Sequence, residues 1–274
     1  MHKKNSTIVI LNWNTSKITQ KCIISIYKYL DNNNFRIVIV DNGSTDNSIS
    51  VFNKLQKKYK NLYIIKNSSN LGFSAGNNSA KKYFTTKYLI FLNSDIEFID
   101  NSILDAIDYF EQNPDIGLIS PKLILSNGST QNSVFPPQTI KNAIKEFYLR
   151  KRNSYYPYTP KTDKAIEVNS VAGAAIIIKT KLFKKIGMWN EKYFIYFEDL
   201  DLCRNIRRLN KKIIYFPSWI LIHKHGASGN NLKNSQDQWR RLIPSSKKYH
   251  GIIKHYVLFF IIWSSQKLFS QQKS

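Results

Sequence analysis

Three carboxylates follow a run of large aromatic side chains within residues 188–204. The acids are Glu198, Asp199 and Asp201, and the rings before them are Tyr193, Phe194, Tyr196 and Phe197. A carboxylate beside large apolar rings loses hydration, which raises its pKa toward the range where it can accept a proton near neutral pH. The segment therefore predicts a proton-accepting site.

The same acids also fit the start of a helix. Apolar residues alternate with acids from Leu200 onward, so an amphipathic helix is expected to begin near Glu198. Acids in a first turn stabilise a helix by about 0.3–1 kcal/mol, and three arginines could pair with them, namely Arg204, Arg207 and Arg208. Capping is thus the structural alternative to catalysis, and the preceding rings favour a lined pocket.

Short apolar segments rich in Ile and Val predict buried strands of a largely parallel sheet. They span residues 7–11, 36–40, 62–65, 88–92 and 174–179. Residues 16–30 and 45–59 have helical patterns, so the first half of the chain is βαβ-like. Ligands of open α/β sheets bind at the carboxyl ends of strands. Polar residues that follow the first, second and fourth segments are therefore expected to share one pocket.

Two of these polar groups follow the first and second strands. Asn12 and Asn14 follow the first strand. The second is followed by DNGSTD, which begins with Asp41, Asn42, Gly43 and Ser44. A carboxylate here can accept hydrogen bonds from a base or a sugar, and helix-start amides favour anions. Simple turn and capping chemistry is the alternative interpretation.

The segment NLGFSAGNN, residues 70–78, could line a polar ligand. Its glycines permit close backbone approach, and its amides and hydroxyl offer donors and acceptors. A loop that leads into a helix explains the same residues. The chain contains neither GxGxxG nor GxxxxGK[ST], so dinucleotide and P-loop sites are not indicated.

The fourth strand ends in Asn93, Ser94 and Asp95, with Glu97 close behind. Hard oxygen ligands of this kind suit Mg²⁺ or Mn²⁺ that bridges a diphosphate. Histidines in the later segment WILIHKH, His223 and His225, could complete such a site through a ring nitrogen. A structural strand-end aspartate and exposed histidines remain the alternative.

In order along the chain, LNWNT, VIVDNGSTDNS, NLGFSAGNN, FLNSD, VAGAAIIIK, the segment from IGMWNEKYF to IIYFP, and HKHGAS resemble family 2 inverting glycosyltransferases, with greatest likeness to the rhamnosyltransferase-like branch. The resemblance covers about residues 7–228. It implies an α/β GT-A fold, with a mostly parallel central sheet flanked by helices. It also implies a nucleotide-diphosphate-sugar donor and direct displacement at the anomeric carbon.

The resemblance also implies roles for individual residues. Asp41 would contact the donor's base beside Asn12 and Asn14. The other implied donor-binding residues are Asn42, Gly43, Ser44, Asn70, Gly72, Asn77, Asn78, Asn93 and Ser94. Asp95 corresponds to the last acid of the family's Asp-x-Asp metal motif, whose first acid is here Asn93, and His223 would lie near metal and diphosphate.

On the acceptor side, the resemblance makes Asp199 the catalytic base. Glu198 and Asp201 would orient the base or the acceptor, and Trp189 would pack against a sugar face. Gly173 and Tyr196 are assigned to the same acceptor and sugar pocket. The implied cofactor is Mg²⁺ or Mn²⁺.

The length of 274 residues fits one catalytic domain and an extension. We expect a GT-A domain over 1–228, with a nucleotide-sugar half at about 1–97 and an acceptor half at about 98–228. Residues 229–274 would form a basic and apolar helical C-terminal extension. Two distant cysteines, Cys22 and Cys203, favour a reducing compartment.

The charge balance of 41 Lys and Arg against 18 Asp and Glu predicts an anionic partner. No apolar segment is long enough to span a bilayer, and the first one is too short for a signal peptide. Residues 252–263, flanked by Lys247, Lys248 and Lys267, could lie in a membrane interface or form a buried terminal helix. The expected location is cytoplasmic and peripheral at the inner face of the cell membrane.

The expected reaction transfers rhamnose or another hexose or deoxyhexose from a dTDP- or UDP-linked donor to a cell-surface glycan or lipid-linked acceptor. A nucleotidyltransferase is one rival, but LNWNTSK lacks the Gly-rich basic loop that clamps a triphosphate. A nonenzymatic nucleic-acid binder is the other. Its basic residues should interleave with stacking aromatics, whereas here acids gather at strand ends, so no nucleic-acid partner is expected.

Overall fold

A computed structural model describes residues 5–31, 34–224 and 235–270. The strands, in chain order, are β1 (Ser6–Asn12), β2 (Phe35–Asp41), β3 (Leu62–Lys66), β4 (Tyr88–Asn93), β5 (Ile96–Phe98), β6 (Ile116–Ile124), β7 (Val134–Phe135), β8 (Ile166–Glu167), β9 (Ser170–Val171), β10 (Ala175–Lys179) and β11 (Lys212–His223). The α-helices are α1 (Ser16–Tyr29), α2 (Ser48–Lys58), α3 (Gly72–Asn78), α4 (Ile103–Gln112), α5 (Ile140–Phe147), α6 (Thr180–Lys185), α7 (Glu198–Arg208), α8 (Ser235–His250) and α9 (Ile252–Ser270).

One sheet organises the molecule, with strand order β3-β2-β1-β4-β10-β6-β11-β5 and β8 paired to β11. The first four strands in that order are mutually parallel. Strand β10 runs antiparallel to both β4 and β6, and β11 is parallel to β6 but antiparallel to β5 and β8. Six strands therefore share one direction and β5, β8 and β10 oppose it, which confirms the mostly parallel central sheet flanked by helices.

Both faces of this sheet are covered, which explains why its strands are continuous apolar runs. Side chains alternate across a strand, so Ile8 and Ile10 enter one core cluster while Val9 enters the other. Helix α1 packs Cys22, Ile23 and Ile26 into the first cluster. The second cluster receives side chains from helices α6 and α7, including Phe183, Leu202 and Ile206.

Strand register brings the polar strand ends together. Asn12 is paired with Asp41, and Leu11 is paired with Asn93, so β1, β2 and β4 end at one edge of the sheet. The predicted clustering of polar residues at this edge follows directly from the parallel pairing. Helix α7 begins at Glu198, where the sequence pattern placed a helix start.

Residues 127–162 contain β7 and α5. Strand β7 pairs with β9, and α5 packs against α9 through Ala143, Leu258 and Ile261. Helices α8 and α9 provide the expected helical C-terminal part of the chain. Among the described residues, no helix combines the length and apolar character that crossing a bilayer requires.

Candidate active site

Asn12 joins the ends of β1 and β2. Its amide nitrogen lies 2.8 Å from Oδ1 of Asp41 and 2.9 Å from Oγ of Ser48. Its amide oxygen accepts hydrogen bonds from Thr15 (2.9 Å) and Thr19 (2.6 Å) of the following segment. Asn12 is fully buried. The Asn12 side chain therefore holds the ends of β1 and β2 together, and its amide group is already hydrogen-bonded within the protein.

The turn after β2 is held from the β1 side. Asn14, with φ of 52°, accepts a hydrogen bond from the backbone N–H of Thr45 at 2.7 Å. Oδ2 of Asp41 accepts from the backbone N–H of Ser44 at 3.1 Å. Gly43 has φ of 73°, and a Cβ there would lie 2.6 Å from the backbone of Ser69. This close approach of two loops explains why the turn needs glycine.

Asn42 connects this turn to the segment that leads into α3. Its amide nitrogen donates to Oδ1 of Asn70 at 2.9 Å and to the carbonyl of Gly72 at 3.1 Å. Its oxygen accepts from the backbone N–H of Leu71 at 3.2 Å. The side chain is 1% exposed. Asn42 thus fixes the position of residues 70–72 beside the end of β2.

A cavity of about 170 Å³ opens at this edge of the sheet. Its lining includes the predicted donor-binding residues Asn42, Asn70, Gly72, Asn93 and Ser94. The other lining residues are Leu11, Trp13, Phe73, Phe194, Ile195 and Arg241. The cavity therefore combines amide and hydroxyl groups, five rings or aliphatic side chains, and one guanidinium.

A larger cavity, of about 570 Å³, lies elsewhere, between the 153–163 segment and Lys122, Thr130, Asn132 and Tyr215. None of the predicted site residues lines it. The smaller cavity is therefore the one that carries the candidate chemistry.

Asn77 and Asn78 lie in α3, away from the cavity lining. Asn77 donates to the carbonyl of Phe73 at 2.9 Å, and Asn78 donates to the carbonyl of Trp189 at 2.8 Å and to Glu191 at 2.9 Å. Both side chains are buried. They support the site by tying α3 to the segment that precedes α7.

Trp189 does not present a face to the site. It is 1% exposed, and its ring makes edge contacts with Phe73, Phe91 and Phe183. Direct packing against a sugar, which the sequence led us to expect, does not fit this burial. An aromatic residue near a catalytic acid looks the same in sequence whether it faces the core or the pocket.

Asp95 and His223 meet at the edge of the sheet, both nearly fully buried. Nε2 of His223 lies 3.1 Å from Oδ1 of Asp95, although this oxygen accepts no well-formed hydrogen bond from any described residue. Nδ1 of His223 lies 2.6 Å from Oε1 of Gln131. An amide oxygen accepts hydrogen bonds, so with Oε1 as the acceptor Nδ1 carries the hydrogen and the lone pair of the neutral ring lies on Nε2.

This pair fits a divalent cation. A lone pair on Nε2 and a carboxylate oxygen are two electron-rich atoms in close contact, and a shared cation would convert their repulsion into coordination. In the part of the chain that the structure describes, no cluster of three or more His, Cys, Asp or Glu residues could hold a metal. Water or substrate oxygens could supply further ligands beside Asp95 and His223. The expected His225 and the residues that follow it in HKHGAS lie outside the described residues.

The acids of the FED segment occupy the start of α7. Oδ2 of Asp199 accepts a hydrogen bond from the backbone N–H of Gly173 at 3.1 Å, and Oδ1 accepts from Leu200 at 2.8 Å. A Cβ on Gly173 would lie 3.3 Å from Cβ of Asp199 and 3.6 Å from the Trp189 ring. Gly173 therefore lets its backbone approach the carboxylate and hold its orientation.

Glu198 and Asp199 differ in their surroundings. Burial and the neighbouring charge of Asp199 raise the pKa of Glu198 well above its ordinary value, and Oε2 of Glu198 receives no hydrogen bond from the described residues. Burial also raises the pKa of Asp199, but N–H groups of Gly173 and Leu200 oppose that shift. The pair titrates together. Because Asp199 has donors from Gly173 and Leu200, whereas Glu198 has a backbone donor only in its own N–H group, we assign the negative charge to Asp199 and the proton to Glu198.

Asp201 has an anchoring position. It forms an ion pair with Arg204 and accepts a hydrogen bond from Asn190 at 3.1 Å. It is 3% exposed. These partners fix the start of α7 against the preceding loop, so the effect of Asp201 on any acceptor would be exerted through that loop.

The loop before α7 has an unusual backbone. Tyr196 and Phe197 are consecutive non-glycine residues with φ of 70° and 68°. Such conformations are costly and persist where surrounding contacts enforce them. Helix α8 supplies part of that support, because Ser245 donates to the carbonyl of Ile195 at 2.8 Å and the Phe197 ring lies against Tyr249 and His250.

Two hydrogen bonds link the acid region to the metal region. Asp199 is bound to Gly173, and the next residue, Ala174, accepts a hydrogen bond from the backbone N–H of Asn93 at 2.8 Å. Asn93 in turn lies 3.5 Å from His223 through its amide nitrogen. The base candidate and the Asp95–His223 pair therefore share one end of the sheet, although neither acid lines the smaller cavity itself.

Sequence reasoning missed three contributors to this site. Arg241 reaches the cavity from α8, and Phe194 closes over α3 through a 2.6 Å hydrogen bond from Phe73 N–H to its carbonyl. Gln131 contacts His223 from the segment 127–162. Phe194 lies in a segment that carries the family resemblance, whereas Gln131 and Arg241 do not, and only the tertiary structure brings these two to the sheet edge.

A family model described as glycosyl transferase family 2 matches residues 7–187. The matched part contains the ends of β1, β2 and β4. It stops before Asp199, His223 and Arg241, so the roles of these residues are not part of what the match covers.

Relatives of this chain include an N-acetylglucosaminyl-diphospho-decaprenol L-rhamnosyltransferase of Mycobacterium tuberculosis, 23% identical over 216 residues that cover 71% of this chain and 68% of that protein. Another is the low-salt glycan biosynthesis hexosyltransferase Agl10 of Haloferax volcanii, 26% identical over 64% of this chain and 54% of that protein. The chain spans only 22% of a further relative, an uncharacterized protein of Sinorhizobium fredii to which it is 23% identical.

The mannosyltransferase PcManGT of Pyrobaculum calidifontis, in complex with GDP-Man and Mn²⁺, has a similar structure. The TM-score is 0.63 with 12% identity, over 95% of this chain and 70% of that one. At this identity the likeness concerns the fold, and it confirms the GT-A architecture.

Proposed function

This chain belongs to glycosyl transferase family 2, and on that basis we propose that it transfers a sugar from a nucleotide-diphosphate donor to a hydroxyl group of a glycan acceptor, with inversion at the anomeric carbon. The observation that carries the proposal is the placement of Asp199. Its carboxylate is oriented by the backbone N–H of Gly173. The neighbouring residue, Ala174, is hydrogen-bonded to Asn93, which lies at the same end of the sheet as His223 and Asp95.

The donor would enter at the joined ends of β1, β2 and β4. Asn42, Asn70, Asn93 and Ser94 offer amide and hydroxyl groups to its polar parts. Asp41, Asn12 and Asn14 have most of their polar atoms paired within the protein, so their contribution is to preorganise the rim. A base contact through Asp41 would use a remaining lone pair of its carboxylate.

Asp199 would act as the base. It removes the proton from the acceptor hydroxyl while that oxygen attacks the anomeric carbon from the face opposite the diphosphate. The new C–O bond forms as the bond from carbon to the diphosphate oxygen breaks, and the electron pair leaves with the nucleotide diphosphate. General-base assistance of this kind contributes about 10²–10⁴-fold.

Glu198 supports this step by staying neutral. A second negative charge beside Asp199 in a buried setting would raise the proton affinity of both groups and pull the base away from its working range. The protonated Glu198 avoids that repulsion. The pair thus resembles other carboxylate pairs in which environment separates the roles.

Asp95 and His223 would hold a Mg²⁺ or Mn²⁺ ion, with water and diphosphate oxygens as the other ligands. Such an ion neutralises the negative charge that builds on a departing diphosphate. Gln131 fixes the ring of His223 so that Nε2 faces Asp95. Metal-binding histidines commonly donate a hydrogen bond from the N–H group of their second ring nitrogen in this way.

For the substrates, we propose a rhamnose or other hexose or deoxyhexose donor and a cell-surface glycan or lipid-linked acceptor. The relatives named as a rhamnosyltransferase and a glycan-biosynthesis hexosyltransferase support this choice. The dTDP- and UDP-linked donors are the first to test. We place the enzyme at the cytoplasmic face of the membrane, where such acceptors would be presented.

The surface of α9 supports contact with a membrane. One side of α9 packs on α5, and the other exposes a series of apolar side chains, among them Ile253 at 82% and Phe260 at 60%. Residues 235–270 contain six Lys or Arg residues and one acid, Asp237. An apolar helix face with basic neighbours is suited to the interface of an anionic bilayer.

A donor screen tests the proposed function. The purified protein is incubated with UDP-, dTDP- and GDP-linked sugars and Mn²⁺, and both thermal stability and nucleotide release are measured. A donor at 100 times its Kd stabilises the folded state by about 2.7 kcal/mol. We expect a dTDP- or UDP-sugar to raise the melting temperature and to be consumed slowly. No shift and no release with any sugar nucleotide would contradict the proposal.

A further inference from the structure

Helix α8 contributes one charged side chain to the cavity of about 170 Å³ at the sheet edge, hereafter the donor cavity. Arg241 lines it together with Asn42, Asn70, Asn93 and Ser94, and the guanidinium is the only charged group among the lining residues of the described chain. The lining amides and hydroxyl carry no net charge. The one positive charge among these lining residues therefore comes from a helix outside the part matched by the family model.

Several contacts hold Arg241 at this position. Its guanidinium carbon lies 5.3 Å from the centre of the Phe194 ring, a distance at which a cation is attracted to the face of an aromatic ring. The helix is fixed to the same loop by the hydrogen bond from Ser245 to Ile195, and to α7 by the carbonyl of Tyr249, which accepts from Arg204 at 3.0 Å. Arg241 is thus positioned, and partly buried, before any ligand arrives.

No carboxylate of the described residues pairs with this guanidinium. The ion pairs in that part of the chain involve Lys87, Arg204, Lys212, His223 and Lys224. Acids lie nearby in α7, but Asp201 is already paired with Arg204. A positioned guanidinium that lines a polar cavity, and that forms no ion pair with a carboxylate whose side chain the structure describes, is suited to an anionic ligand.

We propose that Arg241 binds the diphosphate of the nucleotide donor and of the nucleotide product. This inference rests on the proposed function, because it names the residue that recognises the anionic part of the same donor. A guanidinium is planar and presents paired N–H groups that match two phosphate oxygens, which an amide or ammonium cannot reproduce. Arg241 would offset the negative charge of the diphosphate from the side of α8, while Asp95 and His223 act from the sheet edge.

The role predicts a difference between ligands that contain a diphosphate and those that do not. UDP and dTDP should lose affinity when the guanidinium is removed. Uridine and thymidine should not, because the base and ribose contacts remain. Loss of one charge-assisted contact to phosphate corresponds to about a 10- to 100-fold weaker Kd.

The experiment measures binding of UDP, dTDP, uridine and thymidine by calorimetry to the wild type, Arg241→Gln, Arg241→Lys and the control Arg208→Gln. Arg208 is exposed on α7 and bonds Asn205, so its removal matches the change in charge. We expect weaker nucleotide binding in Arg241→Gln, partial recovery in Arg241→Lys and no change in Arg208→Gln. Inorganic pyrophosphate should displace UDP or dTDP from the wild type and far less from Arg241→Gln.

Equal nucleotide affinities in the wild type and Arg241→Gln would overturn the inference while leaving the proposed function intact. A parallel loss of nucleoside and nucleotide binding would also overturn it, because the effect would then be on the shape of the cavity. If the wild type binds neither UDP nor dTDP, the donor class proposed above fails together with the inference. Should Arg241→Gln not fold, the comparison of the wild type with Arg241→Lys, by nucleotide affinity and by pyrophosphate competition, decides the matter.

Discussion

Gly72 gives a sharp test of how the donor cavity is built. Its φ is 81°, and a Cβ at this position would lie 2.4 Å from the carbonyl oxygen of Phe194 and 2.7 Å from Cδ2 of the Phe194 ring. Phe73 N–H donates to the same carbonyl at 2.6 Å. Substituting Gly72→Ala therefore strains the backbone and separates α3 from the loop that precedes α7.

The chain contains a matched control. Gly128 has φ of 82°, and a Cβ there would meet nothing within 4 Å. Gly128→Ala carries only the conformational cost of an L-residue in the left-handed region, about 1–2 kcal/mol. Gly72→Ala adds a steric conflict with backbone, for which overpacking costs of about 1–3 kcal/mol are typical. The expected difference in the free energy of unfolding is therefore about 1–3 kcal/mol.

Two measurements separate the variants. Chemical denaturation should show the larger loss of stability for Gly72→Ala. Titration with UDP and dTDP should show weakened binding for Gly72→Ala alone, since Gly72 and Phe194 both line the cavity. If the two variants lose equal stability and both bind nucleotides like the wild type, the close packing of α3 against Phe194 does not shape the donor site.

Three further predictions concern the acids, the metal pair and the C-terminal helix. The pKa of Glu198 is raised in the folded protein. As the pH rises from the pKa of Glu198 in the unfolded chain through its pKa in the folded protein, the wild type therefore loses stability. Glu198→Gln should remove this loss, and its advantage in melting temperature should grow with pH; parallel pH curves would contradict the assignment. Gln131→Leu should weaken Mn²⁺ binding about 10- to 100-fold by calorimetry, because His223 loses the partner that orients it; an unchanged Mn²⁺ affinity would exclude that role. Replacing exposed Phe260 and Trp263 by Ser should reduce sedimentation with anionic vesicles while leaving nucleotide binding intact; equal sedimentation would remove α9 from the membrane contact.

The fold was largely predictable because its strands are buried on both faces. The apolar segments before Asn12, Asp41 and Asn93 coincide with β1, β2 and β4, and the clustering of these polar ends follows from parallel pairing. Strand β6 was not predicted, since its sequence includes Ser120 and Pro121. Hydrophobic periodicity and residue composition do not identify such an interrupted strand.

The residue types of the site were easier to predict than their contacts. Asn12 and Asn78 lie close to the site, but hydrogen bonds within the protein occupy them. Trp189 lies in the core because it packs against Phe91 and Phe183, and the contact with Phe91, which is distant in sequence, has no local signal. Arg241 was interpreted only as part of a basic tail. No local pattern shows that α8 folds back onto the loop before α7.

The charge of the chain had suggested nucleic acid as an alternative partner, and a similar scaffold had suggested nucleotidyl transfer. Membership of a glycosyltransferase family supports sugar transfer in place of both. Some of the excess basic residues make contacts of other kinds. Arg241 lines the donor cavity, and Lys267 lies 4.5 Å from the Trp263 ring on the exposed side of α9.

The most direct test compares sugar transfer by the wild type and Asp199→Asn under single-turnover conditions, with the donor identified by the screen. Asp108→Asn, an exposed acid on α4, is the control for the loss of one charge. A rate of transfer about 10²–10⁴-fold lower in Asp199→Asn, with UDP or dTDP affinity within about twofold of the wild type, is the predicted result. Transfer by Asp199→Asn at the wild-type rate would mean that another group takes the acceptor's proton.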